Sequence, residues 1–280
     1  MGWPPPGKLP ERGRDRFGEI SGMIVRPMNG ETRLITQHDH ARVAGTLARH
    51  WKGNEIVPAP EPSLKDAVLF AIDNHDVGWC GPDASSRYDP ETRTSMSFFG
   101  STAEEATVIW EESVERCGEY RAFSGFMVSC HFSLLAETGL RGAPSEEMSL
   151  LRRFMQTQEE KRFVFARNFS PVENASIKGS ALLLGTCDTL SLLVCRAPEI
   201  APSKGSIRQF PTSGLRIQIL SDEVLGFAPW PFDADRLEVK YPGVAIPGGP
   251  YAGVEAWEAA LEMAEPNIFA GSILPLDLEK

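Results

Sequence analysis

The chain has 280 residues, 42% of them hydrophobic and 24% charged, with a formal net charge of −10. This is an ordinary globular composition, enough for one large domain or two small ones, and the acidic balance argues against a broad footprint for nucleic acid or an anionic membrane. Five scattered cysteines, Cys80, Cys117, Cys130, Cys187 and Cys195, show no C-x-x-C spacing and no disulfide framework, which suits a reducing compartment.

Residues 1–20 are rich in Pro, Gly and Arg and read as a flexible N-terminal arm. They contain no apolar stretch of the kind a secretory signal needs, so a cytoplasmic location is expected. Met23 to Arg26 and Arg33 to Ile35 flank Asn29-Gly30, a hairpin signal. Thr36 and Asp39 then open a helix whose apolar stripe is His40, Val43, Ala44, Leu47, Ala48 and Trp51, with Gly53 beyond. His40 is on that stripe, whereas His38 and His50 are off it.

A second helix is expected from Ser63 and Asp66, with Ala67, Val68, Ala71, Ile72 and His75 inward, Asp76 alongside and Gly78 as a left-handed cap. A long irregular stretch at 80–100 leaves directly from His75-Asp76 and reads as a lid, with Trp79 as a wall. Ser101 and Glu104 begin a third helix. A fourth at 120–138 places Met127, His131, Leu134, Leu135 and Thr138 on one face. A polar helix follows from Pro144. Residues 175–195 are apolar nearly all round, as in a central buried helix, and carry Asp188 on a stripe of small residues with Ala181, Gly185 and Ser191. The apolar run 181–195 is too short to span a bilayer.

From about residue 206 the pattern alternates: 215–219, 237–241 and 244–246 read as strands, 228–232 as a strand end, 254–264 as a helix and 268–276 as a last strand. The predicted fold is therefore mainly α, a helical bundle over 21–205, with a small C-terminal antiparallel β appendage at 206–280.

The inward polar groups are His40, His75, Asp76, His131 and Asp188, all suitable ligands for a divalent Fe, Mn, Zn or Ni ion. A buried carboxylate needs a partner, and three inward histidines with two aspartates call for a common destination. The order H…HD…D resembles the HD-domain superfamily of metal-dependent phosphohydrolases. That resemblance implies His40, His75, Asp76 and Asp188 as ligands of one metal, with His131 where an added histidine holds a second. A closer resemblance runs from about residue 22 to the C-terminus. It is carried by Gln37-His38-Asp39-His40-Ala41, His75-Asp76-Val77-Gly78-Trp79, Asp89-Pro90-Glu91-Thr92, Val128-Ser129-Cys130-His131, the stretch from Cys187-Asp188 to Cys195, and Trp230-Pro231-Phe232. These segments resemble the DUF3891 family of bacterial proteins, whose members often carry a second Trp and an Asp where this chain has Cys80-Gly81-Pro82-Asp83.

On this basis the expected function is hydrolysis of a phosphoester of a small molecule or nucleotide, with one or two ions polarising the phosphoryl oxygen and activating water. Asp73 is expected as general base, His131 as second-metal ligand or substrate-orienting group, and Arg42 as a phosphate contact. An HD-type di-iron oxygenase acting on a small organic substrate is the alternative; it needs a sixth ligand from His38 or His50. A non-catalytic metal-binding or scaffold protein is the third reading. The expected partner is a small-molecule substrate, without nucleic acid or membrane, and a homodimer is left open.

Overall fold

The hairpin around Asn29-Gly30 forms in the computed structural model, which describes residues 22–84, 86–141, 143–195 and 205–277; the N-terminal arm lies outside them. Strands β1 (Ile24–Pro27) and β2 (Glu31–Ile35) pair antiparallel, and Gly30 turns the chain at φ 84°, a left-handed conformation that favours glycine. Thr36 then caps α1 (Gln37–Arg49) by accepting the Asp39 backbone N–H. Helix α2 (Lys65–Asn74) follows a single 3-10 turn at Pro62–Leu64 and has no side-chain cap, so the capping box expected at Ser63 and Asp66 does not form.

The stretch 80–100 carries a two-residue hairpin, β3 (Tyr88–Asp89) and β4 (Thr94–Ser95). Asp89 closes its turn by accepting the Glu91 N–H and the Thr92 hydroxyl. Helices α3 (Ala103–Tyr120), α4 (Ala122–Gly139), α5 (Ser145–Ala166) and α6 (Pro171–Val194) come next. Capping boxes start α3 (Thr102 with Glu105, one residue beyond the expected pair) and α6 (Ser170 with Glu173). By length and composition alone α6 reaches membrane-spanning size, longer than its apolar core at 181–195 suggests; in this fold α1, α2 and α4 pack against it.

The remaining elements are β5 (Ile207–Phe210), β6 (Leu215–Ser221), β7 (Val224–Ala228), β8 (Leu237–Pro247), α7 (Val254–Glu262) and β9 (Pro266–Pro275). They correct the expected fold class. The protein is α+β, with a seven-stranded mixed sheet ordered β1-β2-β8-β9-β7-β6-β5 rather than a small antiparallel appendage on a helical bundle. β2 pairs antiparallel with the end of β8, which joins the N-terminal hairpin to the C-terminal strands, and β7 pairs parallel with β9. The physical reason is the free edge of β2. A lone hairpin is marginal in water and its outer edge seeks a partner. β8 is 11 residues long, so its first part pairs with β9 and its last with β2.

One hydrophobic core runs through both layers. Leu47 and Ala48 of α1, Val68 and Ile72 of α2, Phe123 and Met127 of α4 and Leu183 and Leu190 of α6 join Leu215, Ile217, Phe227 and Val239 of the sheet. This packing holds α1, α2, α4 and α6 at fixed phase, so that polar residues on or just beyond each helix meet one another.

Candidate metal centre

His40 sits in the first turn of α1, where the Asp83 carboxylate steadies the helix start by accepting the backbone N–H groups of Gln37 and His38, each at 3.1 Å. His75 follows the last residue of α2. Its Nδ1–H donates to the Ile72 carbonyl at 2.8 Å, one of the terminal carbonyls that a helix leaves without an internal partner. Asp76 comes next, at the start of a tight 3-10 turn, Val77–Cys80. Gly78 is not the left-handed cap expected. It is the point where that turn meets α3: a Cβ there would collide with the Ile109 carbonyl and the Ser113 hydroxyl, and Ser113 Oγ accepts the Gly78 N–H at 2.9 Å. Asp188 projects from the middle of α6.

These four residues, all at least 92% buried, place one ligand atom each within 4.8 Å of one another. His40 Nε2 lies 2.8 Å from Asp76 Oδ2 and 3.5 Å from Asp188 Oδ1. His75 Nε2 lies 3.4 Å from Asp76 Oδ2 and 3.3 Å from Asp188 Oδ1. The two imidazoles meet edge to face at 5.3 Å.

The hydrogen bonds on the far side of each ring fix what Nε2 can do. The Ser191 hydroxyl donates to the Asp188 carbonyl at 2.7 Å, so its lone pairs accept the His40 Nδ1–H, also at 2.7 Å. His75 Nδ1–H is committed to Ile72. When neutral, both rings therefore aim an Nε2 lone pair at carboxylate oxygens. Two acceptors at 2.8 Å repel unless a cation, proton or metal, lies between them. A ring held through one nitrogen with the other free toward carboxylates is the arrangement that metal-binding histidines adopt. The donor set, two imidazoles and two carboxylates, suits a divalent transition metal.

Electrostatics say the same. Burial opposes charge on His75, yet Asp76 and Asp188 outweigh it and push the imidazole up to about 9, so a proton is held where a metal would sit. Burial pushes the Asp188 carboxyl up, but the hydrogen bond to His75 and the electrostatic pull of the imidazoles around it bring it well below the usual range.

His131 of α4 is adjacent but outside the four-donor group. Its Nε2 is 3.5 Å from Asp188 Oδ2, its ring lies 5.4 Å from that of His75, and its buried Nδ1, facing Gly185, has no partner. Burial, only partly offset by Asp188, lowers its pKa to about 4, so it is neutral.

Two expected residues lie elsewhere. Arg42 is 55% exposed and pairs with Asp39 at 3.5 Å. Asp73 is clamped by the Arg49 guanidinium, and burial raises its pKa. Neither lines the cavity beside the cluster. Arg42 turns to solvent and Asp73 packs between α1 and α2 against Gly45, so the structure does not bring either to the cluster. His50 pairs with Asp233 on the surface, and His38 stays outside the cluster, so neither supplies a sixth ligand.

The cavity opens on His40, Asp76, His131 and Asp188 and has a volume of about 380 Å³. Trp79, Phe98, Phe99, Trp110, Phe132 and Leu192 give its wall an aromatic and apolar character. Of the expected lid only the Phe98–Phe99 end reaches it. The β3–β4 hairpin docks instead on α7, where Trp257 Nε1–H donates to Ser95 Oγ at 2.9 Å. Ser191, the Ile72 carbonyl and Trp110 were not marked as functional in the sequence. Ser191 was detectable, three residues beyond Asp188 on the same helical face, and so was the Ile72 carbonyl, three residues before His75.

A family model described as a protein of unknown function, DUF3891, matches residues 23–248. No curated protein and no solved structure matches the chain. None of these comparisons links it to the HD-domain superfamily.

Proposed function

The chain belongs to the DUF3891 family, and from the geometry of its site we propose that it is a metal-dependent enzyme, in the first instance a hydrolase of HD-domain type. The observation that carries this reading is the pair of Nδ1 hydrogen bonds, to Ser191 and to Ile72, which leave both Nε2 lone pairs turned on Asp76 and Asp188. A divalent ion bound by His40, His75, Asp76 and Asp188 would polarise a substrate oxygen and lower the pKa of a coordinated water.

The chain's own residues do the rest. Ser191 and Ile72 orient the imidazoles. Asp76 and Asp188 balance the ionic charge. His131, neutral and on the cavity wall, is placed to take a proton from the cluster side or to hold the substrate. Trp79, Phe98 and Trp110 exclude bulk water from the reacting end of the cavity.

The aromatic walls, without a Lys or Arg among the described lining residues, favour one alternative, an iron-dependent oxygenase acting on a small organic substrate, since imidazole and carboxylate donors with open positions also suit iron(II). The test is to load chelator-treated protein separately with Mn, Zn, Ni and, without oxygen, Fe(II), and then assay esters, phosphoesters and oxygen uptake. Hydrolysis that is lost in Asp188→Ala supports the first reading. Oxygen uptake with iron alone moves the assignment to the second. Metal uptake without turnover leaves a non-catalytic metal-binding role.

A further inference from the structure

The walls of the cavity are more specific than the metal cluster about what enters. Among the described residues that line it there is no Lys and no Arg. A divalent ion held by Asp76 and Asp188 sums to zero net charge, and Glu147 on the wall adds a negative one. A phosphate dianion placed here would leave water with no surplus positive charge to meet it, in a space walled by aromatic rings, and burying such a charge unpaired is costly. The rings instead form a surface for a flat apolar molecule. Trp110 stacks on Phe132 with centroids 5.3 Å apart, and Trp79 meets Phe98 edge to face at 6.3 Å. A volume of about 380 Å³ holds one small organic molecule. The wall has one uncharged amide, Gln37; the residue is 99% buried and its Nε2 lacks a hydrogen-bond partner. A buried amide donor left open in this way favours a ligand carrying an oxygen.

We propose that the substrate is an uncharged, ring-bearing small molecule with at least one oxygen, and not a phosphoester. This rests on the metal-dependent reading, of which it names the substrate class, and it replaces the phosphoryl group expected from the sequence.

The test uses 2-naphthol as the uncharged probe and inorganic phosphate and 4-nitrophenyl phosphate as the anionic ones, by calorimetry on the full chain. Each is titrated into chelator-treated protein and into protein loaded with Mn or Zn. Two variants narrow the cavity: Ala106→Phe on its α3 wall, and Leu135→Trp, 36% exposed and therefore tolerant of bulk. The expected result is that 2-naphthol binds both forms, that each folded variant weakens it more than about tenfold, and that neither anion binds even with metal present. Anion binding to the loaded protein without 2-naphthol binding overturns the substrate class and leaves the metal reading standing. Binding of 2-naphthol that neither variant disturbs overturns the assignment to this cavity. Binding of 2-naphthol to a protein that takes up no metal supports the ligand class and sinks the metal reading instead.

Discussion

Two buried ionic clusters in this molecule are built on opposite terms. Arg26 of β1 is 98% buried, and both its Nη groups are satisfied from within the protein. Nη1 donates to Tyr241 at 3.0 Å and to Glu223, while Nη2 donates to the Asp222 carbonyl at 2.6 Å and to Glu223 at 3.1 Å. Its job is to fasten the N-terminal hairpin to the turn between β6 and β7. The His40, His75, Asp76 and Asp188 group is buried throughout, whereas Glu223 is half-exposed, yet that group leaves lone pairs facing lone pairs. The difference separates structure from function: the Arg26 charge is answered by a carboxylate although its Nε has no partner, whereas the second cluster needs a cation between its acceptors.

Loss of a partner should therefore read differently in the two places. Asp188→Ala removes a direct ligand, so metal affinity should fall by more than the ~10–100-fold typical of an orienting residue. At a metal concentration about 100 times Kd the wild type gains about 2.7 kcal/mol, and the variant should gain none of it. In chelator most of the gap should close, as melting curves with and without metal will show. Arg26→Ala should cost roughly 2–3 kcal/mol by denaturant unfolding, equally with and without metal. That is below the ~3–5 kcal/mol of a fully buried pair, because Glu223 is 40% exposed and can turn to water.

Ser191→Ala should weaken metal binding by about 10–100-fold while leaving the chelated fold near wild type, since it frees the His40 ring without removing a ligand. Competition against a coloured chelator measures this. A loss of stability without a loss of affinity would place Ser191 in the first kind of cluster.

A separate effect is expected in pH. The imidazole of His75 is raised from 6.5 to about 9 in the folded chain. The stability it contributes is full below about pH 6.5 and is lost as pH rises through about 9. Metal binding must displace that proton, so affinity should rise over the same range in which the chelated fold weakens. Melting curves and metal titrations from pH 6.5 to 9.5 should slope in opposite directions; parallel slopes would mean that no proton is exchanged.

Much of the site was legible in the sequence because helical phase is local. His40, His75, His131 and Asp188 each fall on an apolar stripe, and the fold brings all four to one region. Asp73 and Arg42 neighbour the ligands in sequence but not in space: Arg42 faces solvent beside Asp39, and Asp73 pairs with Arg49 between α1 and α2. The sheet was not legible as a whole. Each strand shows its alternation, yet nothing in the residues 31–35 names 244–247 as their partner, and the parallel pairing of β7 with β9 is equally non-local. The aromatic cavity was hidden for the same reason, since Phe98, Trp110 and Leu192 come from three separate elements.

Metal titration of chelator-treated protein, followed by calorimetry and by melting temperature, probes the incomplete cluster directly. One ion of Fe, Mn, Zn or Ni should bind per chain, raise the melting temperature, and do neither in Asp188→Ala. A protein that takes up none of these ions and melts identically in chelator would contradict the metal centre and make His40, His75, Asp76 and Asp188 a proton-held polar core.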